Sequence, residues 1–288
     1  MHTFDDNRFV YPTAGIAGQL IDRIVSCAAL SKLRRAVFSR LPFLQLASDV
    51  KHVVYCTWVV DAARVAHLVP QGVTLQQRGG KTLFTILTYS HAHFGPRIAG
   101  PLRKIFPSPK QSNWRLYVDT FPNAPDSSPA VLFVKNIFDN PLYGIGSRLF
   151  SDALPSHVAA RFEHTLDNGV YRTAIAGGEG SAPAFQCEAK PTRNRALPPA
   201  LEPFFDSWSE AVAALCLQDG AIAALADRAG IAYAQIDLPI DVGAVQPLEA
   251  TDAYDISSPF LERMGVAGRP FCFVVPAVPF GVLNERLL

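Results

Sequence analysis

From residue 50 onward this sequence is a succession of short β-branched and aromatic runs cut by turn residues, a pattern few folds accommodate. The run 53–60, Val-Val-Tyr-Cys-Thr-Trp-Val-Val, suits a pleated, half-buried surface. Gly79-Gly80 separates 73–77 from 81–90 in a hairpin pattern. Strands follow at 114–121 and 130–138, joined by the Pro/Asp/Ser turn 122–129. Runs 158–166, 170–176 and 183–190 read as a meander, with further strands at 232–239 and 271–276. Helical signals are fewer. Asp61 can cap a segment ending at Pro70, and Asn140-Pro141 offers an N-cap and first-turn proline for 141–150. Residues 201–229 have a helical pattern broken near Asp219-Gly220 and closed by Gly230. A short helix at 259–264 stops at Gly265, and 94–112 reads as a long loop. Many short strands with few helices predict a mainly β (α+β) domain over 50–288, an antiparallel barrel or sandwich with peripheral helices.

Residues 1–49 read as a helical extension. Apolar Ile16, Leu20, Ile24, Cys27 and Leu30 recur at near helical spacing, and Lys32, Arg34, Arg35 and Arg40 make the second half basic. An interfacial amphipathic helix is one reading. A helix packed on the domain or on a partner copy, its cations in water, is the other, and Asp5, Asp6 and Asp22 favour it. A homo-oligomer stays open on this ground.

Charge excludes some partners. Lys and Arg total 26 against 25 Asp and Glu, so no global basic field exists to hold nucleic acid or an anionic membrane. No run reaches the roughly 18 apolar residues of a membrane span, and the N-terminus lacks a basic segment followed by an apolar one. Cys27, Cys56, Cys187, Cys216 and Cys272 form no CxxC and no Cys/His pair at zinc spacing. Scattered free thiols in a reducing cytoplasm, with no metal, are the expectation. The absence of Walker, GxGxxG, GxSxG and HExxH patterns gives no reason to expect a cofactor.

Several residues can carry chemistry. His91 and His93 share a strand face about 7 Å apart, as metal ligands lacking a visible third or as polar lining. Gln111, Asn113, Arg115 and Tyr117 alternate against Trp114, Leu116 and Val118, so they form either a solvent face or a polar stripe lining a cavity. Lys135 interrupts an apolar strand, either as an exposed edge residue or as a desolvated, nucleophilic amine. Gly144-Ile145-Gly146 reads as close helix packing rather than a phosphate cradle.

Three motifs then fall in a family's order. Residues 66–73, Ala-His-Leu-Val-Pro-Gln-Gly-Val, resemble "LLPxGL"; residues 111–118, Gln-Ser-Asn-Trp-Arg-Leu-Tyr-Val, resemble "ELNVRTYV"; residues 137–148 resemble the decarboxylase's "YLDNEPAIAVGRE". On these the chain resembles the acetoacetate decarboxylase-like superfamily, and within it a bacterial branch called domain of unknown function 2071. The resemblance implies a closed or nearly closed antiparallel barrel with a central cavity. The decarboxylase forms its Schiff base on a lysine in Tyr-Pro-Lys-Lys, which Leu154-Pro155-Ser156-His157 replaces here. Its pocket arginine falls at Cys56 and its pocket glutamate at Gln111. Iminium chemistry at that position is therefore not expected. A polar pocket of Gln111, Asn113, Arg115, Tyr117, Ser156, His157, Cys56 and His91 is what the resemblance leaves. Arg115 is expected to hold a carboxylate or enolate oxygen, and His157 to act as general acid or base. Lys135 is the alternative amine. Two functions follow: a lyase or isomerase moving a proton on a carbonyl or carboxylate compound, or a non-catalytic metabolite- or partner-binding protein.

Overall fold

The structure, a computed structural model, describes residues 7–125 and 129–288. Asp5 and Asp6, used above to weigh the N-terminal helix, lie outside the described residues, as do 126–128 of the expected turn.

The strands are β1 (Leu46–Asp61), β2 (Thr74–Leu75), β3 (Gln77–Arg78), β4 (Lys81–Pro96), β5 (Lys110–Thr120), β6 (Ala130–Phe138), β7 (Ser156–Val158) and β8 (Arg161–Asp167). They continue as β9 (Val170–Ala176), β10 (Phe185–Pro191), β11 (Gly220–Ala224), β12 (Ile231–Asp237), β13 (Gln246–Asp255), β14 (Phe271–Val275) and β15 (Val278–Leu287). The α-helices are α1 (Ile16–Val25), α2 (Ala28–Phe38), α3 (Ala62–Val65), α4 (Pro141–Phe150), α5 (Trp208–Cys216) and α6 (Pro259–Met264).

All strands belong to one sheet, and β1 is its hub. Residues 46–50 of β1 pair with β15, residues 53–57 pair with β14, and nearly its whole length pairs with β4. Because β1 bonds to both β4 and β15, the path β4–β5–β6–β11–β12–β15–β1 returns on itself. A second arm, β14–β13–β10–β9–β8, leaves the same strand. Alternation along β1 and β5 feeds two cores. Cys56, Trp58, Trp114 and Leu116 enter one, with α6 and β10; Val53, Tyr55 and Tyr117 enter the other, under α5. Both faces of these strands are therefore buried, which removes the solvent-face reading of Gln111, Asn113, Arg115 and Tyr117.

The structure redraws some boundaries. Within 201–229 only α5 is α-helical; the fully buried, alanine-rich 220–224 is β11, parallel to β6 and antiparallel to β12. Tertiary pairing overrides alanine's helix propensity there. Gly230, at φ 129°, turns the chain between β11 and β12 instead of ending a helix. The expected 94–112 loop is partly regular, with β4 running to Pro96 and 3-10 turns over Arg97–Ile105. Asp61 makes no capping bond and instead pairs with Lys81 at 2.5 Å. The Asn140 cap forms, its Oδ1 accepting from the Leu142 N–H at 2.9 Å.

The helical extension breaks between α1 and α2 at Ser26-Cys27. Its cations are not all in water. Arg35 donates to Asp152 at 2.7 and 2.9 Å and to Asp227 at 2.8 and 2.9 Å, and Arg34 also pairs with Asp152. These ion pairs clamp α2 to the body while Ile16, Leu20 and Leu33 remain exposed.

The two glycines of α4 make a paired test of packing. A Cβ at Gly144 would sit 2.6 Å from Val158 Cγ2, a buried β-branched side chain with little room to yield; at Gly146 it would meet nothing within 4 Å. Gly144→Ala is expected to cost about 1–3 kcal/mol. Gly146→Ala should stabilise by about 0.5–1 kcal/mol, as alanine favours a helix interior over glycine. Urea denaturation of both variants reads the two signs.

Candidate functional site

The sheet brings together a buried polar layer, built mostly from one face of β5. Arg115 is 5% exposed and lies under α5, its Nη2 donating to the Leu215 carbonyl at 2.7 Å. The guanidinium sits 5.2 Å from the Tyr55 ring centroid and 5.5 Å from that of Tyr117. Tyr117 Oη reaches the same carbonyl at 3.3 Å and exchanges a 3.1 Å bond with Thr85 Oγ1. No acidic side chain pairs with Arg115 among the described residues, and its Nε has no partner. Asn136 Nδ2 is likewise buried without a partner, and Tyr55 Oη, beside Arg115 and Cys216, makes no hydrogen bond of normal geometry. Burial pushes the phenols of Tyr55, Tyr89 and Tyr117 up, so all three stay protonated and able to donate.

A chain of bonds extends this layer along the same face. His91 Nε2 meets Gln111 Oε1 at 2.6 Å, and Gln111 Nε2 donates to Asn113 Oδ1 at 2.9 Å and to Asn136 Oδ1 at 2.8 Å. Asn113 Nδ2 donates to Tyr89 Oη at 3.0 Å. At the other end His91 Nδ1 meets Ser48 Oγ at 2.8 Å. With Gln111 Oε1 accepting from Nε2–H, the basic nitrogen of His91 is Nδ1, facing Ser48. Burial lowers His91 to about 4, so its ring is neutral near pH 7. Ser48 in turn lines a depression of about 130 Å³ with Asp49, Arg97, Arg103, Asp237 and Phe280. Neither this depression nor a larger one beside Tyr233 and Arg286 is lined by Arg115.

Six expected residues thus share this face: Gln111, Asn113, Arg115, Tyr117, His91 and, as the cross-strand partner of Asn136, Ser156. His157, Lys135 and Cys56 do not. The pairing of β5 with β6 slips between Trp114 and Arg115, opposing Trp114 to Lys135 but Arg115 to Phe133. That bulge turns Lys135 onto the Trp114 face and gives the Arg115 face Asn136 in its place. Lys135 is buried, with Nζ 3.3 Å from His157 Nε2 and 5.4 Å from the Phe260 ring centroid, so it is no exposed edge residue. His157 Nδ1 meets Ser181 Oγ at 2.6 Å, and its ring stacks on Phe9. Burial, then the charges of Lys135 and Arg148, hold it neutral, well below the usual imidazole range. His93, at φ 57° beside an irregular pairing, leaves the face of His91 and shares no partner with it. Cys56 joins Cys187 and Cys272 in a thiol cluster, the one group among the described residues able to hold a metal ion. Sequence reasoning missed Tyr55, Tyr89 and Asn136. Alternation from Arg115 finds none of them without the pairing register.

A family model described as an uncharacterised conserved protein, domain of unknown function 2071, matches residues 48–209. The chain belongs to that family. The matched span of this domain of unknown function 2071 protein holds every residue of the polar layer except Leu215. No curated protein matches it. Among solved structures it is similar to the enduracididine biosynthesis enzyme MppR complexed with pyruvate, at 12% identity and TM-score 0.56, covering 85% of this chain and 90% of that one. An acetoacetate decarboxylase-like enzyme from Sphingomonas wittichii RW1 is similar at 11% identity and TM-score 0.56, covering 86% and 94%. These likenesses show an acetoacetate decarboxylase-like, mainly β fold. No helix among the described residues is long and apolar enough to cross a membrane.

Proposed function

We propose that this chain binds a small compound carrying a carboxylate beside a carbonyl, and acts on it as a lyase or isomerase by moving a proton next to that carbonyl. One observation carries the reading: Arg115 is a buried guanidinium with no acidic partner among the described residues and an unpartnered Nε. A guanidinium stays charged in a protein, and a buried charge is costly unless compensated. A ligand anion supplies the compensation. Tyr55 Oη and Asn136 Nδ2 add donors of the kind that stabilise a developing enolate oxygen. The pyruvate complex of MppR supports 2-oxo acids as the first class to try.

The expected acid–base residue, His157, lies on the other face with Lys135; the imidazole left on the Arg115 face is His91, which bonds Gln111 four strand residues from Arg115 and turns its basic Nδ1 to Ser48. At about 4 its ring is a base of carboxylate strength, deprotonated throughout the neutral range. The same low value favours a second reading, ligand binding without turnover.

Pyruvate in heavy water tests both. Raised melting temperature and methyl-proton exchange above the buffer rate are expected, with Arg115→Met losing both and His91→Asn losing only exchange. Stabilisation without exchange selects the binding reading, and neither effect across a panel of 2-oxo acids ends both. Borohydride trapping of pyruvate on Lys135 would replace this mechanism with iminium chemistry.

A further inference from the structure

Strands β1, β10 and β14 bring three cysteines distant in sequence to one point. Cys56 Sγ lies 3.8 Å from Cys187 Sγ and 3.6 Å from Cys272 Sγ, and all three sulfurs fall within 4.8 Å of one another. Cys56 and Cys272 are direct cross-strand partners, and Cys187 approaches from the neighbouring arm of the sheet. Each is at most 4% exposed. Thiolates bound at about 2.3 Å stand about 3.8 Å apart around a tetrahedral ion and about 4.0 Å around a trigonal one. The spacings of Cys56 to its two partners fit ligands around an ion, as they also fit thiols in van der Waals contact. They are far from the ~2.05 Å of a disulfide.

We propose that Cys56, Cys187 and Cys272 form a binding site for a single soft metal ion, copper(I). Three sulfurs from three strands converge without any hard ligand, and thiolate sets select soft ions. A structural zinc site closes with four protein ligands, and no fourth His, Cys, Asp or Glu joins this group among the described residues. Three-coordination suits copper(I). The surroundings agree: Val54, Trp58, Phe185 and Leu248 belong to the same apolar core, which keeps water and oxygen from the ion. Loading releases the thiol protons, because the thiolate is the ligand.

The bland alternative treats the three as small buried hydrophobes, which cysteine often is. Anaerobic titration of the reduced full-length chain with copper(I), against a chromophoric copper(I) chelator, separates the two. The expected result is one equivalent per chain withheld from the chelator, with a near-ultraviolet thiolate-to-copper absorption band. Cys56→Ala, Cys187→Ala and Cys272→Ala should each weaken retention at least tenfold, while Cys27→Ser and Cys216→Ala retain it. X-ray absorption on the wild-type chain gives a readout free of folding defects, with a first shell of three sulfurs expected. Copper left wholly with the chelator, retention undiminished in the three variants, or a nitrogen–oxygen shell would each overturn the site.

Discussion

Replacing Arg115 with methionine is expected to leave the protein at least as stable as the parent while abolishing its response to 2-oxo acids. The two effects have one cause. Arg115 carries a positive charge in a layer where Tyr55, Tyr117, Thr85 and Leu215 surround it and no carboxylate pairs with it among the described residues. Substituting buried ionic groups with apolar residues of similar volume is commonly neutral or stabilising by about 1–4 kcal/mol. Little is stranded by the change, because Tyr117 Oη still reaches the Leu215 carbonyl at 3.3 Å. Binding has the opposite balance. Each charge-assisted hydrogen bond is worth about 1.5–3 kcal/mol, so losing a two-bond grip weakens a carboxylate roughly a hundredfold or more. Arg115→Lys should recover only part of it, since an ammonium cannot present the paired fork. Urea midpoints with and without pyruvate measure both quantities. An Arg115→Met protein that loses 2 kcal/mol or more yet binds as before would make Arg115 a structural residue, and the proposed site would go with it.

How much of this was legible in the sequence depended on whether backbone pairing intervened. Alternation along β5 placed Gln111, Asn113, Arg115 and Tyr117 on one face correctly, because nothing interrupts their spacing within the strand. It could not say whether that face met solvent or protein. Burial on both sides comes from β1 bonding to β4, β14 and β15 at once, and no local pattern announces that. On β6 alternation failed, since one bulge moved Lys135 to the Trp114 face and Asn136 to the Arg115 face. His93 was lost for a similar reason, a positive φ in mid-strand. The Cys56–Cys187–Cys272 cluster lay beyond spacing rules altogether, its members coming from three strands. The Asn140 cap and the Gly79-Gly80 turn were readable because capping and turn chemistry are local, but the expected first arm 73–77 was not, since only Gln77 and Arg78 pair with β4 while Thr74 and Leu75 pair with β5.

Acid should unfold this protein well above the range where its carboxylates titrate, because three imidazoles are buried neutral. His91 and His164 are lowered to about 4, chiefly by burial, and His157 lies well below its usual range for the same reason. In the unfolded chain each titrates near 6.5. Above that value neither state is protonated at these sites and they do not alter stability. As pH falls below 6.5 the unfolded chain takes up protons that the native rings refuse, so stability drops by about 1.4 kcal/mol per pH unit per histidine. Three such groups remove about 5 kcal/mol between pH 6.5 and 5, comparable to the whole stability of many domains. Glu285 and Asp139, raised by burial, act in the opposite sense and soften the loss. Urea denaturation at pH 7.5, 6 and 5 should show midpoints falling most steeply over the last step, from pH 6 to 5. His164 bonds Thr173 Oγ1 at 2.9 Å and the His52 carbonyl at 2.7 Å, both of which a glutamine amide can satisfy. His164→Gln should therefore lower stability at pH 7.5 by less than it flattens the acid slope. A midpoint unchanged from pH 7.5 to 5 would mean that these rings are solvated, and the neutral His91 on which the proton-transfer proposal relies would be lost with them.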